Sequence, residues 1–190
     1  GFRFITGMGK AVAIFGSGRF EKDNPHYQQA HRLAQLLAKE KFTVVTGGGP
    51  GIMEAANQGA TETGGESIGL NIIIPRGQDY NAYVKKGMQF NHFFVRKVIF
   101  AAACKCYVFF PGGFGTLDEF FEIANIIQNR KIRRKPLLVA VGKDYWQPLF
   151  DWLKINVYKK HRAISAQDIQ MVHLDNSPDE TLKIIKKYAP

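Results

Sequence analysis

Three segments of this 190-residue chain place glycines beside small polar residues in a way that could hold a phosphate: Gly16-Ser17-Gly18, Gly47-Gly48-Gly49-Pro50-Gly51 and Gly112-Gly113-Phe114-Gly115-Thr116. Glycine lets backbone amides come close to a ligand, and a helix starting there favours an anion. Thr116 adds a hydroxyl donor. One such turn would show only a tight bend, but three at one sheet edge favour a phosphate-bearing ligand. None completes a dinucleotide fingerprint, because Glu21, Glu54 and Asp118 stand where the last glycine of G-x-G-x-x-G belongs. G-x-x-x-x-G-K-[ST] is absent as well. Hydride transfer and ATP hydrolysis are therefore not expected; a mononucleotide-like phosphate held on backbone amides is.

Charged residues lie just inside these turns. Glu54 falls in the first turn of the helix after 47–51, and Asp118, Glu119 and Glu122 follow the third glycine turn. Glu119 and Glu122 are three apart and can share one helix face. Carboxylates in a first turn ordinarily complement the helix dipole. Beside a nucleotide they can also bind ribose hydroxyls, activate water, or offset positive charge developing on the sugar, as glycosidic cleavage requires. Arg96-Lys97 interrupts an otherwise apolar helical stretch at 92–101 and marks its solvent or ligand side. The five histidines (His26, His31, His92, His161 and His173) show no metal-ligand spacing, and G-x-S-x-G does not occur. Neither a metal centre nor a serine nucleophile is expected.

The elements that must position these residues alternate along the chain. Short apolar runs at 11–17, 42–46, 67–74, 106–110 and 137–141 read as strands, with a weaker one at 170–174. Helices are expected from Asn24-Pro25 to about 40, then over 52–63, 91–104, from the 111–115 turn to about 129, 145–158 and 178–188. Residues 76–89 read as a long polar loop. Near-continuously apolar strands alternating with helices predict a parallel sheet covered on both faces. We expect one α/β domain over 1–190, a single doubly wound, Rossmann-like fold with a mostly parallel sheet. In such sheets ligands bind beyond the carboxyl ends of the strands.

Composition bounds the rest. The chain is 45% hydrophobic and 22% charged, an ordinary globular balance. Its longest apolar runs are broken at Lys105 and are too short for a membrane span; no leader segment with a cleavage site is read at the start. Cys104 and Cys106 are too close to form an unstrained bridge and read as reduced thiols of a cytoplasmic protein. The net charge of +10 is concentrated late, most tightly in Arg130, Lys131, Arg133, Arg134 and Lys135. Without zinc-finger spacing or an aromatic ribonucleoprotein motif, this favours a solvated basic face or a small anionic substrate over nucleic acid.

Two motifs carry a family resemblance. Pro111-Gly112-Gly113-Phe114-Gly115-Thr116-Leu117-Asp118-Glu119 matches P-G-G-x-G-T-x-x-E without a mismatch, and Gly47-Gly48-Gly49-Pro50-Gly51-Ile52-Met53 is similar to G-G-G-x-G-x-M. Together, over about residues 11–153, they resemble the lonely-guy family of cytokinin-activating phosphoribohydrolases, long labelled possible lysine decarboxylases. The resemblance implies a hydrolase that splits a nucleoside 5′-monophosphate into free base and ribose 5-phosphate, without a cofactor and as a homodimer, with the aromatic helix at 90–100 as a contact. It implies Arg96 and Glu119 as catalytic residues. Glu119 would position or activate water and offset oxocarbenium charge, and Arg96 would orient the substrate and assist the departing base. The implied phosphate cradle is Gly113, Gly115 and Thr116 with Gly16 and Ser17 nearby; Gly48, Gly49, Glu54, Lys97, Gly112 and Glu122 complete the expected substrate contacts. Plant-type members carry M-H-x-R-K where this chain has Phe93-Phe94-Val95-Arg96-Lys97, and residues 71–94 are more similar to a bacterial branch. The alternative is a non-catalytic nucleotide sensor or molybdenum-cofactor carrier of the same fold, which the glycine turns fit equally well.

Overall fold

A computed structural model describes residues 2–6, 8–73, 79–129 and 136–188. Seven strands form one sheet: β1 (Ala11–Phe15), β2 (Thr43–Thr46), β3 (Ser67–Ile72), β4 (Lys86–Phe90), β5 (Cys106–Phe109), β6 (Leu137–Val141) and β7 (Val172–Asp175). Their order is β4-β3-β2-β1-β5-β6-β7 and every pairing is parallel. The inner strands β1, β2, β3, β5 and β6 are buried along their whole length, because helices cover both faces.

Alternate residues of each strand feed two apolar layers. Val12, Ile14, Val108 and Val139 face one side with α2 (Pro25–Lys39), α3 (Ile52–Glu62) and α8 (Pro178–Tyr188). Ala13, Phe15, Tyr107, Phe109 and Leu138 face the other. That layer is covered by α4 (Phe93–Ala103), α5 (Phe114–Gln128) and α6 (Lys143–Trp152), with the short α1 (Phe2–Ile5) packed on α4. Local chemistry sets the helix starts. The Asn24 side chain accepts from His26 N–H with Pro25 in the first turn of α2, and Ser165 and Asp168 form a reciprocal capping box on α7 (Ala166–Ile169).

The fold is the doubly wound α/β class expected, with two local corrections. The stretch read as loop at 76–89 contains most of β4, a parallel edge strand whose sequence, KGMQF, buries only Phe90. An edge strand has one unpaired side and does not need an apolar run, so the hydrophobic pattern that marks the inner strands is missing. The helix expected over 145–158 starts earlier, at Lys143, contains Pro148, and passes into a π-helical run over Leu153–Lys160. The basic cluster at 130–135 and the Pro75-Arg76-Gly77-Gln78 segment lie outside the described residues. Both cysteines are buried free thiols, and burial holds their pKa values above the ordinary thiol range.

Candidate active site

Sheet order reverses at β1, which has β2 on one side and β5 on the other, so the crevice between the carboxyl ends of β1 and β5 is the topological switch point. The loops leaving these two strands are tied together: Ser17 N–H donates to the Pro111 carbonyl at 2.9 Å, and Ser17 in turn accepts at its own carbonyl from Ile52 N–H at 3.0 Å. The glycine turns after β1, β2 and β5 therefore meet at one edge, as expected for 16–18, 47–51 and 112–116.

Their close packing explains the residue types. Gly51 has φ +69°, and a Cβ there would fall within 2.3 Å of the Ser17 carbonyl oxygen. A side chain at Gly112 would strike Thr116 Oγ1 and the Ser17 amide. Gly112 is held from outside by Tyr145, whose hydroxyl donates to its carbonyl at 2.6 Å. By contrast, nothing lies within 4 Å of the Cβ positions of Gly113 and Gly115. Helix α5 begins at this open place, and Gly113 supplies no side-chain cap for its first amides. Those amides are donors in need of an acceptor, at the positive end of a 15-residue helix.

The turn after β2 is fixed by polar residues that sequence reading passed over. Thr46 Oγ1 donates to Asn57 Oδ1 at 2.6 Å and accepts from Gly48 N–H at 2.9 Å. Asn57 Nδ2 donates to Ser67 Oγ at 2.8 Å. Asn81 Nδ2 lies 2.9–3.1 Å from the carbonyls of Gly48 and Gly49 and from Asn57 Oδ1. Thr46, Asn57 and Ser67 are fully buried, so this network is satisfied away from water. The ring of Tyr80 lies across three glycines of neighbouring segments: a methyl group added at Gly48, Gly69 or Gly87 would meet it at 2.9, 3.1 or 2.5 Å. Gly48 thus gives its amide to Thr46 and its surface to Tyr80. Single polar side chains spread over 35 residues leave no periodic signal, which is why the sequence did not reveal this support.

Arg96 on α4 and Glu119 on α5 come together. Arg96 Nη2 donates to Glu119 Oε1 at 2.7 Å, with only 14% of the arginine side chain and 4% of the glutamate exposed. The guanidinium lies 5.4 and 5.8 Å from the rings of Phe93 and Phe100, which favours a cation there. Its Nε is buried and finds no hydrogen-bond partner among the described residues. Burial pushes the Glu119 carboxyl above its ordinary range, and Arg96 and Lys97 only partly oppose this. Gly47 faces the same group: a Cβ there would be 3.7 Å from Arg96 Nη1.

Other predicted contacts have different partners. Lys97, expected to face substrate, bridges Asp118 at 2.9 Å and Glu122 at 2.6 Å. Glu54 is half-buried on α3; with burial, its charge helps push the Tyr27 hydroxyl up to about 12. Ser17 Oγ accepts from Arg19 N–H at 3.1 Å at the lip of the crevice. An apolar cavity of about 220 Å³ lies behind α5, lined by residues that include Phe120, Phe121, Phe150, Leu153, Ile169 and Met171. It does not include Arg96 or Glu119 and offers little to a phosphate. Among the described residues no group of three or more His, Cys, Asp or Glu is placed to hold a metal ion, and no helix is long and apolar enough to cross a membrane.

Fold and site define a doubly wound α/β protein with a buried arginine–glutamate pair beside the glycine turns of its switch point. The family model described as "possible lysine decarboxylase" matches residues 53–185, and the chain belongs to this family, that of the lonely-guy proteins. It is 24% identical over 173 residues to the cytokinin riboside 5′-monophosphate phosphoribohydrolase of Rhodococcoides fascians, covering 85% of this chain and 86% of that protein. It is 31% identical over 123 residues to a protein of the same name from Arabidopsis thaliana, covering 60% of this chain and 51% of that one. Similarity to the Rhodococcoides fascians protein fits the bacterial branch expected from residues 71–94. Among solved structures, the molybdenum cofactor binding protein of Rippkaea orientalis superposes with a TM-score of 0.67 at 22% identity, covering 94% of this chain and 96% of that one. The molybdenum cofactor carrier protein of Chlamydomonas reinhardtii gives 0.66 at 18%, covering 94% and 97%. At these identities the two structures speak for the fold alone.

Proposed function

We propose that this chain hydrolyses the N-glycosidic bond of a nucleoside 5′-monophosphate, consuming one water and releasing the free base and ribose 5-phosphate. The observation that carries this reading is the 2.7 Å Arg96–Glu119 contact, with the carboxylate nearly fully buried. The names of the relatives support it.

In this reading the 5′-phosphate rests on the uncapped amides at the start of α5, in the open space at Gly113 and Gly115, with Thr116 and Ser17 alongside. The sugar then lies over Glu119. As the C1′–N bond breaks, positive charge spreads over the ring oxygen and C1′, and the Glu119 carboxylate offsets it at short range in a site of low dielectric. Glu119 takes a proton from the water that attacks C1′, and a carboxyl with a raised pKa is suited to this role at neutral pH. Arg96 steers the carboxylate and donates to the departing base, whose nitrogen receives a proton from solvent. Gly16, Gly48, Gly49 and Gly112 shape the crevice rather than bind. Decarboxylation of lysine is a poorer fit, since Lys97, the lysine next to Arg96, is held by two carboxylates that raise its pKa against the effect of burial. A lysine that forms a Schiff base needs the opposite shift.

We read the chain as one domain and as a homodimer in the cytoplasm. Phe93, Phe94 and Val98 stand exposed along α4 and suit the contact between copies. A nucleotide, rather than nucleic acid, is the expected partner. A non-catalytic carrier or sensor would use the same glycine turns but has no need of a buried carboxylate beside the sugar. Release of ribose 5-phosphate from a panel of nucleoside 5′-monophosphates, measured beside Glu119→Ala, separates the two. Turnover that vanishes in the variant supports hydrolysis. Nucleotide binding without cleavage by the native protein overturns it in favour of the carrier.

A further inference from the structure

We propose that Lys97 is a positioning residue: its ammonium clamps α4 to α5 through Asp118 and Glu122, and so holds Arg96 and Glu119 at hydrogen-bond distance without itself touching the nucleotide. The inference rests on the hydrolase reading for its kinetic arm but not for its structural one. Asp118 and Glu122 are four apart on α5 and share a face, one step round the helix from Glu119. Lys97 Nζ lies 2.9 Å from one and 2.6 Å from the other, and only 17% of its side chain is exposed. Arg96 and Lys97 are consecutive on α4, so the two contacts brace the same pair of helices at two adjacent points. An ammonium already shared by two carboxylates is a poor phosphate ligand, because the anion would have to displace both.

Charge counting gives the same result. Helix α4 brings two cations to the contact and α5 brings three carboxylates, Asp118, Glu119 and Glu122, so no positive charge is left over for the substrate. The charges acting on Glu119 come from Arg96 and Lys97 on α4 and from Glu122 on its own helix. Removing the ammonium or removing its two partners therefore moves the Glu119 titration in opposite directions. A lysine that neither faced Glu119 nor held Arg96 against it would leave the midpoint unmoved.

The experiment compares the native chain with Lys97→Met, Lys97→Arg, Asp118→Asn/Glu122→Gln, and the triple variant. Ribose 5-phosphate release is followed with the best nucleoside monophosphate of the panel, and the Glu119 carboxyl is titrated by carbon-13 NMR. Lys97→Met is expected to lower kcat by about tenfold to 10²-fold, the range that a small misplacement of reacting groups causes, with KM little changed. Lys97→Arg, which can still bridge two carboxylates, restores most of the rate. Once Asp118 and Glu122 are neutral, adding Lys97→Met produces no further loss. The Glu119 midpoint rises in Lys97→Met and falls in Asp118→Asn/Glu122→Gln. A loss that appears in KM and persists in the triple variant would make Lys97 a substrate ligand and overturn the proposal, as would an unmoved midpoint. If the native chain cleaves no nucleotide, the hydrolase reading fails, and the titration alone decides the role of Lys97. Should Lys97→Met fail to fold, the double-carboxylate variant and Lys97→Arg carry the same test.

Discussion

The guanidinium of Arg96 and the carboxylate of Glu119, 23 residues apart in sequence, meet at 2.7 Å between two helices that cover the same face of the sheet. A buried ion pair is weak evidence of stability, since desolvation of both groups opposes their attraction. Here the balance is visible in Glu119, whose carboxyl is raised by burial in spite of its partner. Under the proposed hydrolase reading, the contact serves the chemistry rather than stability.

Replacing Glu119 by Gln tests this. Because its pKa in the fold exceeds its unfolded value, protonation favours the folded state. That contribution is fully present below the ordinary value of 4.5 and is lost as pH rises through the raised one. Gln resembles the protonated form and keeps an acceptor for Arg96. At neutral pH Glu119→Gln should melt at or above the native temperature, while ribose 5-phosphate release falls by about 10²–10⁴-fold. Glu119→Leu leaves the arginine uncompensated and should melt lower. A Gln variant less stable than the native chain would contradict this account.

The pH profile follows from the same group. If the ionised carboxylate is the working form, the acid limb of kcat/KM should be centred above 4.5, and the residual rate of Glu119→Gln should lack that limb. A limb at or below the ordinary glutamate value would remove Glu119 from the role of base.

The glycines of the third turn divide into two kinds. Gly112→Ala forces a methyl against Thr116 and the Ser17 amide, and should destabilise by about 1–3 kcal/mol in a denaturant titration. Gly115→Ala meets nothing within 4 Å and should leave stability intact. If the phosphate rests there, it raises KM severalfold or more without a matching fall in kcat. Equal effects of the two substitutions on stability would show that the turn is packed differently.

Asn81 offers a separate check on the turn after β2. Asn81→Leu removes the donor from two glycine carbonyls and from Asn57. The Gly48 carbonyl keeps the Asn81 backbone N–H at 2.7 Å and Asn57 Oδ1 keeps Thr46 Oγ1 at 2.6 Å, so the Gly49 carbonyl is the acceptor that loses its partner. A buried acceptor left unpaired costs roughly 1–3 kcal/mol, so chemical denaturation should show a loss in that range. Asn81→Asp, which keeps the size but not the donors, should be no better.

What could be read beforehand divides along physical lines. Strand β6 was legible residue for residue, because a strand buried on both faces must be apolar throughout. Strand β4 was not, since an edge strand with four of its five residues outside the core carries no such pattern. The π-helical run could not be foreseen either; Pro148 signals a disturbed helix but not the form it takes. In the site, Arg96 and Glu119 were visible as charges out of place in apolar or anion-binding surroundings. Lys97 carried the same signal, and only three-dimensional placement shows that Asp118 and Glu122 occupy it. Thr46, Asn57 and Asn81 look ordinary one by one, and their meaning lies wholly in their contact.

The ring of Tyr80, resting on Gly48, Gly69 and Gly87, has a consequence for how this sequence can change over time. The three glycines belong to the β2 turn, β3 and β4, yet a methyl at any one displaces the same aromatic ring. Once that ring has been pushed aside, a second methyl at Gly87 or Gly69 meets less resistance from it, although a side chain at Gly48 remains strained by its φ of +74°. The losses therefore do not add, and the order in which substitutions arrive decides which are tolerated. Tyr80 ties three positions together unequally: a lineage that gives up the tyrosine relieves Gly87 and, in part, Gly69, which still meets Val84 Cγ1 at 3.0 Å, while Gly48 stays fixed as glycine by that positive φ.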